Sequence, residues 1–179
     1  MAKLLSGDSL IDFTLPATDG NTYNASQVLS NAKALIVTFT CNHCPYARAW
    51  EDRLNQIVHD YDAQGVHMLA INSNDVSRYP ADNMENMARR AVEKKFVFPY
   101  LFDESQVVAH SYGAERTPEL FIFDSDGKLR YHGAPDDNYE DEHSVKHQYA
   151  REALNAIIAD REVTVPETKP VGCTIKWKA

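Results

Sequence analysis

Hydrophobic and polar positions change period several times along the chain, and each change predicts an element. Ala34 to Thr40 is continuously apolar and β-branched, the pattern of a central strand covered on both faces. From Pro45 the apolar residues Tyr46, Trp50, Leu54, Ile57, Val58 and Tyr61 recur at three and four, which predicts a helix ending near Gly65. Val66 to Ile71 reads as a second buried strand, and Asn83 to Lys95 as a helix entered through Pro80 and Asp82. A shorter helix covers Ser105 to Tyr112 and stops at Gly113. Glu119 to Phe123 and Leu129 to His132 read as strands joined by the turn residues Asp124-Ser125-Asp126-Gly127. His143 to Asp160 carries the helical stripe Tyr149, Leu154, Ile157 and Ile158. Cys173 to Trp177 alternates, as a last extended segment would.

The resulting order, β-α-β-α-α-β-β-α, is an α/β class with a central sheet and helices on both faces. No repeat or low-complexity block interrupts it. The expectation is one domain over 1–179, with 161–179 a tail packed on it. The acidic stretch Asp136 to Glu142 reads as a solvated loop, and Trp50 and Tyr46 as core.

Composition narrows the function classes. With 44% hydrophobic and 25% charged residues the chain is an ordinary globular protein. No apolar run approaches a membrane span. Met1 to Leu15 is broken by Ser6, Asp8 and Asp12, unlike a signal peptide, so a cytoplasmic location is expected. A net charge of −8 argues against nucleic acid or a membrane surface as partner.

Three cysteines are too few for a disulfide framework. Cys41-Asn42-His43-Cys44 has the spacing of a metal half-site or a redox pair. A zinc site needs two further ligands. His143 and His147 stand four apart but roughly a hundred residues away, unlike a zinc finger. The redox reading follows from position: a cysteine between a strand and a helix N-terminus meets unpaired N–H groups and the positive end of the dipole, which favour a thiolate. Cys41 is then the nucleophile and Cys44, one turn on, the resolving thiol. His43 adds positive charge beside them. Cys173 is either a third redox thiol or a small buried residue of the last strand. His59, His67, His110 and His132 read as structural.

The strand, the C-x-x-C, the helix and then Thr117-Pro118 opening a later strand together resemble the thioredoxin superfamily. The resemblance implies a thioredoxin-like fold with a cis Pro118 against the cysteine pair and Thr117 lining the site, its backbone pairing with bound substrate. It also implies that the proline loop discourages metal capture. The segment Gly7 to Leu15 with Asp19-Gly20 is similar to the N-terminal hairpin of the alkyl hydroperoxide reductase/thiol-specific antioxidant group. Phe121 to Lys128 resembles that group's later hairpin. Cys-Asn-His-Cys-Pro-Tyr at Cys41, Ile-Asn-Ser-Asn-Asp at Ile71, Phe-Pro-Tyr-Leu at Phe98 and Gly-Cys-x-Ile-Lys-Trp at Gly172 resemble a peroxiredoxin-like subgroup of bacterial redoxins.

The pattern departs from both branches. Aligned on the Cys-Pro step, Cys44 takes the peroxidatic place, but the peroxide-binding threonine falls at Cys41 and the proline at Val37. The arginine falls at Pro118, with Arg116 two residues off. The buried aspartate of thioredoxin falls at Leu35, which leaves the proton acceptor open; Glu119 is one candidate, although a carboxylate at a strand entrance is more often solvated. The expected activity is thiol-disulfide exchange without a cofactor or metal. Its partners would be a disulfide-bearing protein or small molecule and a thioredoxin-type or low-molecular-weight thiol reductant. A thiol peroxidase using Cys44, or a non-catalytic redox sensor or metal-binding module, are the alternatives.

Overall fold

The structure, a computed structural model, describes residues 3–179. An N-terminal hairpin pairs β1 (Thr14–Pro16) with β2 (Thr22–Asn24). Helix α1 (Ala25–Ser30) follows directly, its N-terminus capped by the Asn24 side chain accepting from the Gln27 N–H. Then come β3 (Ala34–Phe39), α2 (Pro45–Tyr61), β4 (Val66–Asn72), α3 (Met84–Glu93), β5 (Tyr100–Phe102) and α4 (Val107–Tyr112). The chain closes with β6 (Arg116–Thr117), β7 (Glu119–Asp124), β8 (Leu129–Gly133), α5 (Tyr149–Ile158) and β9 (Cys173–Thr174).

Five strands form the central sheet in the order β5-β4-β3-β7-β8. β3 runs parallel to β4, and β4 to β5, while β7 lies antiparallel to both β3 and β8. Every residue of β3 is buried, as its continuous apolar run requires of a strand covered on both faces. Its residues divide by parity. Ala34 and Ile36 pack with Trp50, Leu54, Met87 and Leu154 of α2, α3 and α5. Leu35, Val37 and Phe39 pack with Leu29, Ala109 and Tyr112 of α1 and α4. The mixed sheet with helices on both faces is the thioredoxin-like α/β fold that the resemblance implied.

Several boundaries differ from the sequence pattern, each for a local reason. The predicted helix from His143 starts only at Tyr149. Asp141 accepts from the His143 N–H, and Asp137 from those of Lys146 and His147, so these carboxylates hold the preceding backbone in turns. The acidic stretch is not wholly solvated either: Asp136 is buried and takes the Arg53 guanidinium at 2.9 Å. Strand β5 was not predicted, because three residues after Pro99 are too few to show a period. Gly113 stops α4 with φ +68°, as its position suggested.

Candidate active site

Strand β3 delivers Cys41 to the edge of the core, and the helix opens four residues later, at Pro45. Cys44 is the N-cap of α2, with Pro45 in the first helical position where its missing N–H costs nothing. It is therefore Cys44, not Cys41, that meets the helix N-terminus. The Cys41 thiol on one side, with the Cys173 thiol and the Ala47 N–H, outweighs burial and holds Cys44 down to about 4. Cys41 moves the opposite way: it shares its proton with Cys44, is buried, and faces the negative charge of Asp82. When Cys44 is neutral its S–H donates to the Thr117 carbonyl at 3.1 Å. Both cysteines are under a tenth exposed. His43, expected as a tuning charge, is exposed and turned to Arg48, with Nδ1 3.4 Å from Nη2.

The Thr117–Pro118 peptide bond is cis. Thr117 Oγ1 lies 3.5 Å from Cys41 Sγ, so its side chain does line the site. Its backbone, which the resemblance reserved for substrate, is already paired: β9 lies antiparallel to β6 with Cys173 opposite Thr117. Cys173 is half-buried and packs against Cys41, Cys44 and Ala47. Burial and the neighbouring Cys44 push its thiol up to about 11, against the pull of Lys176 and Arg116.

Two polar clusters beneath the site gave little signal in the sequence. Asp82 is buried and accepts from the Asn42 N–H at 2.7 Å, the Asn72 amide at 3.0 Å and the Asn74 amide at 3.0 Å. Tyr100 donates to Asn42 Oδ1 at 2.8 Å, and Asn42 donates to the Ala81 carbonyl at 3.0 Å. The loop between the cysteines is thus fixed from below. Glu119, expected to be solvated, is fully buried. It accepts from the N–H groups of Glu115 and Arg116 at 2.7 and 2.8 Å and meets His132 Nε2 at 2.6 Å. Together they brace the loop before Pro118. His132, read as structural, is the second member of that pair; one signal was available, since β7 and β8 form a hairpin that brings their polar residues side by side.

His143 and His147 lie apart from the cysteines, beside Glu142 and Glu152. Among the described residues no group of three His, Cys, Asp or Glu side chains is placed to hold a metal ion. Arg116, two residues from the expected arginine position, turns to the Gly172 carbonyl at 3.4 Å.

A buried cysteine pair at a strand–helix junction, faced by a cis-proline loop on a mixed five-stranded sheet, defines a thioredoxin-fold thiol protein. The chain belongs to the AhpC/TSA family, whose profile matches residues 6–132. A thiol-disulfide oxidoreductase ResA of Geobacillus thermodenitrificans is 26% identical over 69% of this chain, which spans 66% of that relative. An uncharacterized conserved protein from Geobacillus kaustophilus has a crystal structure similar at TM-score 0.91, with 40% identity, covering 97% of this chain and 93% of that one. Peroxidoxin BcpB from Mycobacterium tuberculosis superposes at TM-score 0.65 with 20% identity, over 88% of this chain and 98% of its own, a likeness of fold.

Proposed function

We propose that the protein is a thiol-disulfide oxidoreductase working through Cys41 and Cys44, with Cys44 as the nucleophile. The observation that carries this reading is the pair's asymmetry: Cys44 stands at the N-cap position of α2, while Cys41 lies a turn earlier, buried and facing Asp82, an arrangement that pushes the Cys44 thiol down and the Cys41 thiol up. Cys44 attacks a substrate disulfide and expels one substrate sulfur as a thiolate. Cys41 then attacks Cys44 Sγ, and its proton goes to the second departing sulfur. The products are a Cys41–Cys44 disulfide, one substrate thiolate and one substrate thiol, and a low-molecular-weight or protein thiol restores the pair. Thr117 lines the pocket through its hydroxyl, and the Glu119–His132 pair holds the loop that presents it. The name of the ResA relative supports the same chemistry.

Oxidised glutathione added to the reduced protein should produce a Cys41–Cys44 disulfide in the peptide map, and Cys44→Ser should abolish it. A peroxide reaction far faster than that of an ordinary thiolate would instead favour the peroxidase reading, which lacks the arginine and threonine donors that stabilise a departing oxygen.

A further inference from the structure

Among the three cysteines, the reactive one is not the one solvent meets. Cys44 is 3% exposed and Cys41 5%, whereas Cys173 is half-buried at the surface and packs over them. The strand that carries Cys173 stands where an extended substrate would lie, backbone-paired to Thr117 immediately before the cis proline.

The strand is held there firmly. The Ile175 N–H donates to the Glu115 carbonyl at 3.0 Å, and Ile175 itself is buried in the core. The Lys176 N–H donates to Asn74 Oδ1 at 2.9 Å, its carbonyl takes the Asp75 N–H at 2.8 Å, and Trp177 stacks on His110 at 4.1 Å. Gly172 lies so close to Thr117 that a Cβ would come within 2.1 Å of the Thr117 carbonyl oxygen. A segment anchored on both sides of its cysteine is a fixed part of the site, and a foreign strand cannot add at Thr117 while it is in place.

We propose that Cys173 is a relay thiol, through which the buried Cys41–Cys44 pair exchanges disulfides with partners outside. The proposal rests on the exchange reading above and adds the entry point. An external disulfide R–S–S–R meets Cys173 first. Cys173 attacks one sulfur, forms Cys173–S–S–R and releases RSH, the Cys173 proton passing to the departing sulfur. Cys44 thiolate attacks Cys173 Sγ, forms a Cys44–Cys173 disulfide and expels the second RS⁻. Cys41 attacks Cys44 Sγ, closes the Cys41–Cys44 disulfide and returns Cys173 as a thiol, the Cys41 proton passing to Cys173. Cys41 and Cys44 are oxidised to their disulfide, the external disulfide is reduced to one thiol and one thiolate, and Cys173 ends as the thiol it began as. Run backwards, the same steps let an external dithiol reduce the pair.

Removing Cys41 should stop the relay at its middle step. Cys41→Ser treated with oxidised glutathione is expected to yield a Cys44–Cys173 disulfide in a non-reducing peptide map. Cys44 carrying glutathione with Cys173 free would overturn the relay. In the chain with only Cys173→Ser, formation of the Cys41–Cys44 disulfide by oxidised glutathione should slow by about tenfold or more; any smaller effect overturns the relay. These results separate from a failure of the exchange reading. If the unaltered protein forms no Cys41–Cys44 disulfide, that reading falls; if it does and Cys41→Ser gives no Cys44–Cys173 bond, only the relay falls.

Discussion

Cys41 and Cys44 are chemically identical residues three positions apart, and the backbone makes them different. The position of the helix start decides which receives the N-terminal field, and Pro45 sets that start one residue after Cys44. A titration of the reduced protein followed by thiolate absorbance should show one thiolate already formed at neutral pH, lost on acidification with a midpoint about 4. The sign follows from a depressed acid: the charged form persists above the shifted value and disappears below it. A single transition in the ordinary thiol range would contradict the assignment. The C-x-x-C was plain in the sequence, but the roles inside it were not, because a helix boundary is uncertain by a residue or two from pattern alone. His43 shows the same limit. Its proximity along the chain suggested a charge on the sulfurs, yet its side chain leaves toward Arg48.

Among the elements, long and strongly periodic ones were legible. The unbroken apolar run of β3 identified a buried strand to within a residue, and the α2 stripe a helix from Pro45, whose α-helical part ends at Tyr61 with a tighter turn carrying the chain on to Gly65. Short elements were not: β5, β6 and β9 hold two or three residues each, and long-range pairing partners stabilise them. The pairing of β9 on β6 decides the surface of the site. Gly172 is the close approach that allows it, so Gly172→Ala should lift the terminal strand from Thr117. Alkylation of Cys44 by iodoacetamide should then accelerate in the folded protein, since its cover is gone. An unchanged alkylation rate would mean that the strand does not shield Cys44.

At the scale of the whole molecule, the four sequence motifs prove to be one construction. Asn42 from the cysteine loop, Asn72 and Asn74 from the end of β4, and Tyr100 from β5 meet around Asp82, and Asn74 also holds Lys176 of the terminal strand. Asp82→Ala leaves three buried donors without their acceptor, at a cost of about 3 kcal/mol. The urea midpoint should fall accordingly, and an unchanged midpoint would show that the cluster does not hold the site together. By itself, the sequence determined the α/β layering, the buried strand that ends at a cysteine pair and the candidate proline loop, because these follow from local period and spacing. Only the tertiary structure decided which cysteine stands at the helix N-terminus, that Glu119 is buried on His132, and that Cys173 covers the site. Those outcomes depend on burial, a helix end and strand pairing between residues far apart in the chain, and no local pattern carries that information.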